Sequence, residues 1–152
     1  MIESIRIGID PGTEKSGIAI MEGGQYKKLA MWTFMELHDY IDYSEWTVIV
    51  SIENVMALKP TWQRNVSKKQ MLKISQNVGM VKGTFYQIIK MLEYYNCTYE
   101  AVRPLQGLAK QTKHNPELFK KLTGWAGSSN EHTRDAAMLL YDYQKTTGHN
   151  ND

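Results

Sequence analysis

The chain has 152 residues, 42% of them apolar, and its 18 Lys and Arg stand against 16 Asp and Glu for a formal net charge of +2. That length suffices for one substantial core and is short for two, so a single domain over 1–152 is expected. No run approaches the roughly 20 apolar residues of a membrane helix, MIESIRIGID lacks a signal-peptide layout, and the lone Cys97 excludes an internal disulfide; the expectation is a soluble, cytoplasmic protein with no membrane partner.

Residues 4–10, SIRIGID, place Ile5, Ile7 and Ile9 on one side and Ser4, Arg6, Gly8 and Asp10 on the other, the period of a strand. Pro11 and Gly12 break it, SGIAIME resumes the alternation, Gly23 and Gly24 turn the chain, and KLAMWTF predicts a third strand, completing a meander. MELHDYIDY at 35–43 has weak helical spacing, and WTVIVSIEN at 46–54 is a β-branched apolar run expected to lie parallel to the first strand. After a polar, basic loop, residues 70–95 carry Met71, Leu72, Ile74, Val78, Val81, Phe85, Ile88, Ile89 and Leu92 at the intervals of one long helix. Gly79 and Gly83 within it each cost about 1 kcal/mol relative to alanine, which points to close approach of another backbone, from a packed sheet or a dimer partner. CTYEAVRP predicts a further strand, followed by short helical pieces from Leu105 and Pro116 and a last helix near 129–144. This order indicates an α/β fold with a mixed five-stranded sheet flanked by helices.

Lys59, Arg64, Lys68, Lys69 and Lys73 fall within fifteen residues that hold no acid, and Lys110, Lys113, Lys120 and Lys121 form a second cluster. Local patches matter more for phosphate binding than the total charge does. A plain solvated loop has the same composition, but Trp62 among the cations favours nucleic acid, because an aromatic ring there can stack on bases. Lys59, Trp62, Arg64, Lys68, Lys69, Lys110 and Lys113 are the expected contacts.

Asp10 closes the first strand on the face opposite its isoleucines, and Glu53 holds the matching position in TVIVSIE, on the face of Ile49 and Ser51. Parallel strands would bring both carboxylates to the sheet edge where α/β proteins tend to place ligands. His132 and Asp135, three apart, share a helical face with Ala136, Leu139 and Tyr143, and Ser128 with Glu131 fits a capping box that would start this helix. Asp10 alone is explained by a turn before Pro-Gly, Glu53 by a structural ion pair and Glu131 by the cap. Together, three acids and a histidine would repel one another unless a cation neutralised them, and Mg²⁺ or Mn²⁺ suits oxygen ligands with one imidazole. Two such ions roughly 3.5–4 Å apart can drive phosphodiester hydrolysis.

IGIDPGTEKSGIAI at 7–20, IEN at 52–54 and HTRDAAMLL at 132–140 resemble, in order, the three acidic motifs of RuvC-type Holliday junction resolvases of the RNase H-like superfamily, and NVGMVKGTF at 77–85 resembles that family's glycine-containing helix. The resemblance implies an RNase H-like fold, metal ligation and catalysis by Asp10, Glu53, His132 and Asp135, no small-molecule cofactor, and a homodimer, joined through the long helix, that nicks branched DNA symmetrically. It departs from the family at Met56, where members often carry an aromatic residue for the junction centre; Trp62 is the substitute on offer. The loop around it, longer than the family leads one to expect, suits a phage version. Two other readings share these features: a nuclease processing structured RNA, and a non-catalytic module for branched DNA. Actin-like ATPases and sugar kinases also begin with GIDPGT-like strands but need two such domains.

Overall fold

The computed structural model describes residues 4–57 and 66–148; Lys59, Trp62 and Arg64 lie outside them. The alternating segments form strands β1 (Ser4–Asp10), β2 (Ser16–Glu22) and β3 (Gln25–Trp32), the predicted meander. Helix α1 (Phe34–Tyr43) leads into β4 (Thr47–Glu53), a 3-10 turn (Val55–Ala57) follows, and α2 (Lys68–Tyr94) returns the chain to β5 (Thr98–Val102). Then come α3 (Gly107–Gln111), a second 3-10 turn (Thr112–His114), α4 (Pro116–Thr123), α5 (Glu131–Met138) and α6 (Tyr141–Gly148). The strands hydrogen-bond in the order β3-β2-β1-β4-β5, with β1 parallel to β4, β4 parallel to β5, and the meander antiparallel.

Strand parity divides the core. Ile5, Ile7, Ile9, Val48, Val50 and Ile52 project to one side and pack with Leu37 and Ile41 of α1 and Phe85, Ile88 and Leu92 of α2. On the other side Ala19 and Met21 pack with Phe119 of α4 and with Ala136, Ala137 and Leu140. Among the described residues no helix is long and apolar enough to cross a membrane.

Three local expectations are corrected. The third strand ends at Trp32 rather than 34, because Thr33 caps α1: its hydroxyl accepts from the Glu36 amide and the Glu36 carboxylate accepts from the Thr33 amide, each at 3.2 Å. The predicted helix at 129–144 is two helices, and the hydroxyl of the half-buried Tyr26 donates to the Ala137 carbonyl at 2.6 Å near the break. The box at the start of α5 is Asn130 with Thr133, not Ser128 with Glu131. The Ser128 carbonyl accepts from the Trp125 indole at 3.0 Å, while Asn130 Oδ1 and the Thr133 amide meet at 2.9 Å.

Candidate active site

Asp10 and Glu53 finish adjacent parallel strands whose last paired residues are Ile9 and Ile52. Both acids therefore leave the same edge of the sheet, on the face of Gly8 and Ser51, away from the isoleucine core. The two carboxyl groups interact directly, and that contact raises the pKa of Glu53.

The other two residues arrive on α5, and glycines decide how close that helix comes. A Cβ on Gly8 would collide with the Ala136 carbonyl oxygen, and one on Gly17 with that of His132. With hydrogens there instead, α5 lies directly on β1 and β2. His132 Nδ1 then sits 3.1 Å from Asp10 Oδ2, with the imidazole half-exposed and the carboxylate buried. Asp135 is buried one turn further along.

A fifth residue joins them. Lys113, expected only as an outer phosphate contact, extends its ammonium from the second 3-10 turn to within 3.3 Å of Asp135 Oδ2. That turn is tied to α5 by Arg134, whose Nε donates to the carbonyls of Thr112 and Lys113 at 3.1 Å each, whose Nη2 donates to the Lys113 carbonyl at 2.7 Å, and whose Nη1 donates to the Ser129 hydroxyl at 3.0 Å. His114 and Glu131 pair at 3.0 Å on its exposed side. Sequence reading passed over Arg134; its only signal was a cation placed between two ligand candidates on one helix.

Burial and mutual repulsion dominate the electrostatics. Desolvation is the largest effect on Asp10, whose pKa rises to about 6, with Asp135 adding repulsion and Lys113 opposing it. Glu53 rises to about 7, first through burial and then through Asp10. Asp135 is raised by burial against the pull of Lys113. Burial works to lower the Lys113 pKa, but Asp135, Asp10 and Glu53 outweigh it and leave the ammonium more basic than a free lysine.

Three carboxylates and an imidazole form an oxygen-rich donor set of the kind Mg²⁺ or Mn²⁺ takes, and burial raises the pKa of both Asp10 and Glu53, a cost that a bound cation would offset. The donor chemistry therefore fits a divalent ion. Among the described residues, however, no three His, Cys, Asp or Glu side chains stand close enough together to enclose one. The acids instead satisfy one another, His132 and Lys113.

Of the remaining expected contacts, Lys68 and Lys69 open α2 and Lys110 lies on α3, all exposed. In the chain, α2 follows β4 and α3 follows β5, so these cations come after the strand ends that carry Glu53. Met56, in the turn after β4, is 55% exposed. A groove of about 710 Å³ between α1, Trp32, Trp46 and Ile5 contains none of the four proposed ligands.

No family model and no curated protein matches the sequence. Among solved structures, Thermus thermophilus RuvC in complex with Holliday junction substrate superposes with a TM-score of 0.55 over 97% of this chain and 95% of its own, at 12% identity. A second Thermus thermophilus RuvC structure gives 0.51 over 96% and 95%, at 13% identity. The chain therefore has the α/β RNase H-like fold of the RuvC-type resolvases.

Proposed function

We propose that this chain is a metal-dependent endonuclease that cuts four-way DNA junctions, acting as a homodimer that places one nick on each of two opposed strands. The observation that carries the reading is the convergence of Asp10, Glu53, His132 and Asp135 at one edge of a sheet with the RuvC fold. Similarity to a structure holding a Holliday junction supports the substrate class.

Hydrolysis adds water to phosphorus and breaks the bond to the 3′ oxygen, leaving a 5′ phosphate. Asp10, Glu53, Asp135 and the imidazole of His132 would hold one or two divalent ions, which supply charge neutralisation, water activation and stabilisation of the departing oxygen. The protein's own part is to orient and to move protons. With Nδ1 of His132 directed at Asp10, its Nε2 at the half-exposed rim is the nitrogen left to take an ion or, where the carboxylates alone hold the metal, to accept or deliver a proton. The Lys113 ammonium offers a counter-charge to the phosphate that approaches these acids.

A dimer is supported by α2. Its first half lies largely off the core: Leu72 is 61% and Met80 53% exposed, and Leu72 shares a stripe with Gly79, Gly83 and the exposed Tyr86. Among the described residues a Cβ at either glycine would meet nothing within 4 Å, so packing on the sheet does not explain them. A second copy of α2 does.

The test is cleavage of labelled four-way junction and matched linear duplex by the wild type and Asp10→Asn in Mg²⁺, Mn²⁺ or EDTA. Paired symmetric nicks confined to the junction, dependent on metal and on Asp10, are expected. Binding without cutting in every metal would replace this reading with a non-catalytic junction module, and equal cutting of the duplex with a general nuclease.

A further inference from the structure

Arg134 is 6% exposed and, among the described residues, pairs with no carboxylate. Burying a guanidinium among neutral groups is expensive, and an apolar side chain of similar volume usually serves stability as well or better. Its hydrogen bonds show what it does instead. Three of the four end on the carbonyls of Thr112 and Lys113, and the fourth takes the hydroxyl of Ser129 in the loop before α5. The flat fork therefore grips the backbone of the residue whose ammonium, at the other end of its side chain, stands 3.3 Å from Asp135. Arg134 and Asp135 are neighbours on one helix, so α5 holds Lys113 at both its carbonyl and its ammonium.

We propose that Arg134 is a positioning residue that fixes the Thr112–His114 turn against α5 so that the Lys113 ammonium stands in the carboxylate site. It acts through Lys113 and does not touch the substrate. The catalytic consequence rests on the nuclease reading above; the mechanical statement does not.

Two measurements separate these. In metal-free, uniformly ¹⁵N-labelled protein, the paired Lys113 ammonium gives a proton–nitrogen cross-peak, assigned by its disappearance in Lys113→Ala. It is expected to vanish in Arg134→Met while thermal melting shows that the variant remains folded. In Arg134→Lys, which keeps the cation but not the fork, it should weaken. Absence of the peak from the wild type, or its persistence in Arg134→Met, overturns the proposal whether or not the protein cuts DNA.

The second measurement is single-turnover junction cleavage by both single variants and by Lys113→Ala/Arg134→Met. A misplaced group can lower a rate by up to about a hundredfold, and Arg134→Met is expected to lose about tenfold or more within that range. In the Lys113→Ala background the same change should cost nothing further, since the group being positioned is gone. Equal losses in both backgrounds would make Arg134 a merely structural residue and overturn the proposal. If Arg134→Met fails to fold, Arg134→Lys carries the same comparison. A wild type that cuts no junction would sink the functional reading alone, leaving the cross-peak to decide the role of Arg134.

Discussion

Asp10 and Glu53 pull stability and chemistry in opposite directions. Their pKa values, about 6 and about 7, lie above the ordinary carboxylate value of about 4. Between pH ~4 and ~7 the native protein therefore keeps protons that the unfolded chain has released, and unfolding free energy falls as pH rises through that window. In EDTA the melting temperature should be lower at pH 8 than at pH 5. Asp10→Asn, which removes one of the crowded charges, should raise it at pH 8, have little effect at pH 5 and abolish metal-dependent cleavage. An unchanged melting curve for this variant at pH 8 would mean that the acids are not crowded in solution. A divalent ion should stabilise the wild type more than Asp10→Asn, by mass action on the native state alone. These acids were legible in the sequence because strand parity needs only two-residue spacing to assign a face. Lys113 was legible as a cation but not as a member of the site, since a 3-10 turn carries no period that says where its side chains go.

Helix α5 depends on absences. Gly8 and Gly17 lie in strands, where glycine packs nothing and signals close backbone approach. The approaching helix lies more than a hundred residues away in sequence, so nothing local identified it, and the glycines of α2 drew attention instead. The two pairs should respond in opposite ways. Gly17→Ala drives a methyl group into the His132 carbonyl, and overpacking of this kind costs typically 1–3 kcal/mol. Urea unfolding should show that loss, and junction cleavage should fall as His132 is pushed from Asp10. Gly79→Ala meets no neighbour among the described residues and gains up to about 1 kcal/mol of helix propensity within a protomer. Destabilisation of a dilute, monomeric sample by Gly79→Ala would show a contact inside the protomer and remove the argument for a partner there. The sequence also misread the start of α5, because two overlapping boxes, Ser128 with Glu131 and Asn130 with Thr133, were available. The Trp125 indole, seated on the Ser128 carbonyl, belongs to the folded loop and not to any local pattern.

Charge is distributed across the molecule according to the proposed chemistry. Residues 29–57 contain Glu36, Asp39, Asp42, Glu45 and Glu53 and no Lys or Arg, and α1 with its adjoining groove presents acids that would repel DNA. Lys68, Lys69, Lys110 and Lys113 instead follow the carboxyl ends of β4 and β5 in the chain, and Lys113 stands against Asp135. A duplex arm should therefore approach the catalytic edge from that side, and binding should weaken as salt rises. One such edge makes one nick. Resolving a four-way junction takes two, on strands related by symmetry, which calls for two copies related by a two-fold axis. Helix α2, whose 27 residues span about 40 Å at the usual rise, rests on the core mainly through its second half, from Phe85 to Leu92. Its first half carries the exposed Leu72, after the basic start of the helix, and the exposed Met80, between the two glycines. Replacing both by glutamate should leave each protomer's melting near that of an undimerised wild type, because neither side chain is buried within the chain. Sedimentation should then shift from dimer to monomer, and paired nicking of a junction should decay to slow, uncoordinated single nicks that still require Asp10. A wild type that sediments as a monomer on the junction, or a double variant that still cuts both strands in concert, would place the two-fold axis elsewhere and free α2 of that role.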